Sequence, residues 1–110
     1  MIVAFDEVLA DRLRERLQGR AGVTEKEMFG GPAFLTYGNM TVGVHEDDLI
    51  VRVGPEASQA ALDRPGVRPF DITGRSMRGW VLVAGQYLDD EHLGRWLAEA
   101  GEFVATLARK

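Results

Sequence analysis

Glu27-Met28-Phe29-Gly30-Gly31-Pro32-Ala33-Phe34-Leu35-Thr36-Tyr37-Gly38-Asn39-Met40 carries two chain reversals in one short run. Met28 and Phe29 end an apolar segment, Gly30-Gly31-Pro32 reverses or kinks the chain, and residues 33–37 have strand character. Gly38-Asn39 between alternating apolar runs predicts a two-residue hairpin loop, with Gly38 at the first central position supplying the positive φ of a type II′ turn.

Downstream, Met40, Val42 and Val44 are expected on one face of a strand, with Thr41, Gly43 and His45 on the other. His45-Glu46-Asp47-Asp48 reads as a polar turn, and residues 49–53 as the next strand, Leu49, Val51 and Val53 alternating against Ile50 and Arg52. Upstream, residues 24–29 form the first strand of this meander. Gly54-Pro55 breaks it, and residues 56–62 read as a short helix with Pro55 suited to a first helical position. Residues 67–78 are irregular, with Phe70, Ile72 and Met77 expected to be buried and Gly74 as a bend, before a short strand at 80–83.

Helices flank the meander. Phe5, Val8, Leu9, Leu13 and Leu17 recur at three- and four-residue spacing, which predicts an amphipathic helix over 5–18 that stops at Gly19. Near the other end Asp89-Asp90 supplies an N-cap and a favourable charge for a helix whose stripe is Leu93, Trp96, Leu97, Ala100, Phe103, Val104 and Leu107. Gly94 and Gly101 each cost that helix about 1 kcal/mol relative to alanine, which points to close packing or to a helix end. Adjacent strands joined by short loops imply an antiparallel sheet. The expected fold is α+β and two-layered, with about five strands and three helices in the order helix, strand meander, helix, strand, helix.

The 110 residues suit one domain spanning 1–110. A formal charge of −4 and a pI near 5.1 give no global attraction to phosphate backbones or anionic membranes. Without cysteine there is no disulfide, thiolate metal site or thiol nucleophile. Asp6, Glu7 and Asp11 interrupt the amino-terminal run where a signal peptide needs an apolar core, and no stretch approaches a membrane span, so a cytoplasmic protein is expected.

Met28-Phe29-Gly30-Gly31 followed by Phe34, then Gly38-Asn39-Met40, the 49–53 strand with Arg52, Pro69-Phe70, Met77, and Leu88-Asp89-Asp90-Glu91 leading to Leu93 and Trp96 together resemble the N-terminal domain of the TfoX/Sxy family over about residues 23–107. The family takes its name from regulators of bacterial natural competence. The resemblance implies a two-layer α+β domain similar to secretion-chaperone-like folds. Those regulators carry a second domain of helix-hairpin-helix character and work with the cyclic-AMP receptor protein at promoters. This chain ends at Lys110, so a stand-alone N-terminal domain is expected and the promoter role is not carried over. The family's aromatic pair before the last helix is reduced here to Gly79-Trp80, and its proline after that strand is absent at Ala84-Gly85.

Two runs hold metal-type ligands, His45 to Asp48 and Asp89 to His92. Consecutive residues seldom converge on one ion, and neither run matches an EF-hand or zinc pattern, so a solvated turn and a helix cap are the readings. No nucleophile elbow, P-loop or dinucleotide fingerprint is present, and neither cofactor nor metal is expected. Arg68, Arg75 and Arg78, with Arg52, offer a surface for an anion or a partner. Trp80 and Trp96 read as core anchors. The expected function is a non-enzymatic interaction module, an accessory in transcriptional or competence-type regulation, meeting a protein partner through a sheet edge or helix face. The alternative is direct nucleic-acid binding through the arginines, and a third reading is a small-molecule binder or enzyme using a pocket beside Gly30-Gly31. Homodimerisation is a further expectation.

Overall fold

The structure is a computed structural model describing residues 5–110; the first four residues, part of the run read above for a leader, lie outside the described residues. Helix α1 (Glu7–Leu17) leads into strands β1 (Val23–Met28), β2 (Gly31–Thr36), β3 (Asn39–His45) and β4 (Asp48–Arg52). Helix α2 (Ser58–Leu62), strands β5 (Val67–Pro69) and β6 (Trp80–Ala84), and helix α3 (Asp90–Val104) follow. The fold is α+β, with one antiparallel sheet of order β1-β2-β3-β4-β6-β5. The sixth strand is β5, three residues long and hidden inside the stretch read as irregular.

The first two short loops of the meander solve the same steric problem. Phe29 and Gly30 link β1 to β2 at φ 56° and 80°, and Tyr37 and Gly38 link β2 to β3 at φ 48° and 85°. Positive φ at both central residues is the type I′ arrangement, whose twist matches that of paired strands. The hairpin is therefore where the sequence places it, but the loop is Tyr37-Gly38 and Thr36 faces Asn39. Gly38 occupies the second central position, so the expected type II′ turn is corrected by one residue.

A bulge corrects the expected facing of β3. Phe34 pairs with Val42 while Leu35 pairs with Met40, leaving Thr41 as an extra residue. Val42 and Val44 consequently face the helices, whereas Met40 turns to the opposite side beside Ala33, Ile50 and Leu82.

Helices α1 and α3 cover one face. Leu9, Leu13, Leu17, Leu93, Trp96, Leu97 and Ala100 pack on Phe34, Val42, Val44, Leu49, Val51, Val81 and Val83. Val8 is 70% exposed, because the buried arc of α1 is centred between Leu9 and Ala10 and Val8 lies outside it. Phe5 precedes the helix, bridging to Glu46, and Asp6 caps it by accepting from the backbone of Val8 and Leu9. Asp89 caps α3 as expected, accepting from the His92 amide. Beyond Val104 the stripe leaves the helix, so Leu107 sits in a turn, and Phe103 within the last helical turn is only partly buried. Helix α2 begins at Ser58, two residues later than expected, and Pro55 lies outside it.

The opposite face is sealed by chain without regular structure. Phe70 is fully buried against Ala33, Met40, Ile50 and Leu82, with Phe29 edge-on to it at 5.2 Å. Ile72 is partly buried, whereas Met77 is 37% exposed, contrary to expectation.

The two glycines of α3 differ. A Cβ at Gly94 would lie 3.0 Å from Arg16 Nη1, whereas one at Gly101 would meet nothing within 4 Å. Gly101→Ala is therefore expected to stabilise the protein by about 1 kcal/mol, read as a raised urea midpoint at unchanged slope.

Ion pairs lace α1 to its surroundings. Arg12 and Arg16 reach Asp90, the first residue of α3, and Arg14 grips Glu25 of β1 through two bonds of 2.9 and 2.7 Å. Arg14 holds the Glu25 carboxyl below its usual range, and the backbone and ring of His92 do the same to Asp89. A carboxyl with a depressed folded pKa contributes stability above its unfolded value and loses it as pH falls. The urea midpoint is expected to hold down to about pH 5 and to fall below about pH 4. The decline should be shallower in the Glu25→Gln, Asp89→Asn chain.

Candidate interaction surface

The end of the sheet where β4 finishes and β6 begins gathers the residues with binding character. Gly79, at φ 96°, precedes β6, and its carbonyl accepts from the amides of Val53 at 2.9 Å and Gly54 at 3.0 Å. A Cβ on Gly79 would sit 3.0 Å from the Pro55 nitrogen, so only glycine lets Gly54-Pro55 lie this close. Pro55 then anchors both walls of a cleft: its carbonyl accepts from Ser58 Oγ of α2 at 3.1 Å and from Arg78 Nε at 3.4 Å.

That cleft has a volume of about 370 Å³ and is lined by Pro55, Leu62, Pro69, Met77 and Trp80, with Glu56, Gln59 and Arg78 among its polar residues. Trp80 is half-buried, resting on Phe70 at 5.8 Å between ring centroids. Met77 is placed by its own backbone, its amide donating to the Phe70 carbonyl and its carbonyl accepting from the Trp80 amide. Tryptophan, methionine and arginine are the side chains enriched where proteins bind one another.

The four arginines singled out by sequence are not equivalent. Arg52, the last residue of β4, pairs with Trp80. Its guanidinium lies 4.9 Å from the Trp80 ring centre and 5.6 Å from that of Phe103, and Nη1 donates to the Met40 carbonyl at 3.5 Å. Burial lowers its pKa, yet a guanidinium remains charged throughout the physiological range. Arg78 lines the cleft, and Arg75 adjoins its lip through Ser76. Arg68 stands apart: it is on the edge strand β5 opposite Leu82 and is ion-paired to Asp48, whose carboxylate raises its pKa. The structure thus brings Arg52 and Arg78 to one end of the sheet, leaves Arg75 exposed in the loop preceding β6, and commits Arg68 to a structural pair. Sequence reasoning missed the role of Met77, although its setting between Arg75 and Arg78, with no apolar alternation, already argued against a core position.

The other marked residues are structural. His45 Nδ1 donates to the Phe29 carbonyl at 2.8 Å, tying the β3–β4 turn to the β1–β2 turn. Asp48 serves Arg68, and Asp89 caps α3. The pocket beside Gly31 is about 230 Å³ and lined by Arg14, Glu25, Lys26 and Glu27. That is smaller and more charged than usual small-molecule sites. Trp96 is 2% exposed, capped by Arg64 at 3.6 Å from its ring centre, and Arg64 also grips Glu99.

The family-signature residues fall into the same structural class. Phe29 and Gly30 make a turn, and Gly31 leaves no room for a side chain, since a Cβ there would overlap the Val44 carbonyl oxygen. Met28 and Met40 pack on the second face, and Phe34 and Trp96 on the helix face. Asn39 is buried, its Nδ2 donating to the Ala108 carbonyl beside the Gly38 turn. No helix among the described residues is long and apolar enough to cross a membrane. No curated protein and no solved structure matches this chain. The model of the TfoX N-terminal domain matches residues 15–104, from the last turn of α1 to the last residue of α3. With that match spanning most of the chain and its signature residues building the turns and both cores, the protein belongs to the TfoX N-terminal domain family.

Proposed function

We propose that this protein is a non-enzymatic contact module in competence-type regulation, and that it meets a protein partner through the Trp80 cleft. The observation that carries this reading is an apolar cleft floored by a half-buried Trp80, walled by an exposed Met77 and fringed by arginines. Family membership supports the regulatory setting. The sheet edges are poorer docking strands. β1 exposes Thr24, Glu25, Lys26 and Glu27, and β5 is short and ends in Pro69, both of which discourage strand addition.

A photo-crosslinking residue at position 77 tests this in the source cell. A discrete protein adduct is expected there and not from the same residue at position 26 of β1. Equal adducts at both positions, or none at position 77, count against the cleft as the contact.

A further inference from the structure

We propose that the Trp80 cleft takes a short acidic peptide segment of its partner, with one large apolar side chain against Leu62, Met77 and Trp80 and flanking carboxylates on Arg78 and Arg52. This rests on the reading of the cleft as a protein contact and adds the chemistry of what enters it.

Charge complementarity at this end of the molecule points to the chemistry of the partner. The chain has eleven arginines and seventeen acidic residues, so carboxylates are in excess. Arg12 and Arg16 meet Asp90, Arg14 meets Glu25 and Asp11, Arg64 meets Glu99, and Arg68 meets Asp48. Arg52, Arg75 and Arg78, like Arg20, Arg95 and Arg109 elsewhere, have no carboxylate within 4.0 Å among the described residues, and of these six only Arg78 lines the cleft and only Arg52 lies over the Trp80 ring. Two unpaired guanidinium groups, Arg78 in the lining and Arg52 over the Trp80 ring, therefore stand at an apolar cleft on a protein of net negative charge.

Two features favour a peptide over a nucleic acid. Glu56 also lines the cleft, which repels a continuous phosphate backbone but tolerates carboxylates placed singly along a peptide. Arg52 is held between Trp80 and Phe103, so its outward N–H groups are oriented before the ligand arrives, which suits the planar carboxylate fork. The apolar contacts supply affinity at the centre, and the arginines at the rim supply selectivity and salt dependence.

Random peptides displayed on phage and selected on the intact chain test the proposal, with Met77→Asp and Arg78→Glu as counter-selections. Both variants change exposed residues, and their fold is checked by circular dichroism and urea midpoint. The expected consensus places Asp or Glu on both sides of Leu, Phe or Trp. A synthetic peptide of that consensus should bind about tenfold more weakly to Arg78→Glu, and more weakly as salt rises from roughly 50 to 300 mM. Peptides that need Met77 but carry no acidic bias, or a basic one, overturn the acidic chemistry and leave the protein contact standing. No enrichment over Met77→Asp overturns both. Duplex DNA retarded by the intact chain and released by Arg75→Glu with Arg78→Glu, in the absence of peptide binding, replaces the proposal with nucleic-acid recognition.

Discussion

Gly31→Ala is expected to lower stability by about 3 kcal/mol, a far larger effect than one methyl group usually has. A Cβ at position 31 would lie within 2.2 Å of the Val44 carbonyl oxygen and 3.2 Å of its carbon, with Phe5 Cβ at 3.4 Å. The two Val44 atoms are backbone of a buried strand and cannot swing aside as a side-chain tip would. Relief requires β2 to part from β3 at its first residue, which also strains the Phe29-Gly30 turn and the His45 bond to it. Gly30→Ala is the control. Its φ of 80° penalises alanine by about 1–2 kcal/mol, but a Cβ there would meet nothing within 4 Å. Urea unfolding of the two chains separates crowding from dihedral strain, and a Gly30 variant less stable than the Gly31 variant contradicts the crowding account.

Phe70→Ala is expected to remove about 3–5 kcal/mol and to empty the second core. Phe70 is fully buried, touches the Phe29 and Trp80 rings, and through its carbonyl holds the Met77 amide at 3.0 Å. Its loss releases the residues that form one wall of the cleft, so Trp80 emission should shift to the red while Trp96, under Arg64, is unaffected. Tryptophan fluorescence with each tryptophan replaced in turn by phenylalanine tests this assignment. Phe70→Leu, which keeps an apolar body in place, should cost about 1.5 kcal/mol or less and preserve the cleft.

What was legible in the sequence follows from how local each cause is. The outer helices could be read because apolar spacing and the capping aspartate lie within a few residues of each other, and the meander because its strands alternate. The bulge at Thr41 could not, since an extra residue alters pairing without altering composition. Strand β5 escaped because three residues ending in proline carry no periodicity; they form a strand only because β6 stands ready to pair. The binding end was legible as residue types alone. That Arg68 is neutralised by Asp48 depends on β5 lying next but one to β4, and that Arg52 lies between Trp80 and Phe103 depends on α3 crossing the sheet end. These are facts of topology and not of spacing.

The last residues return to the hairpin at Tyr37-Gly38. The Lys110 amide donates to the Tyr37 carbonyl at 2.9 Å, Arg109 stacks on the Tyr37 ring, and Asn39 holds Ala108. Tension applied at the carboxyl end, as in an optical trap, therefore meets these contacts before it reaches α3. They break in succession rather than together, so a small early yielding step should precede rupture of the sheet.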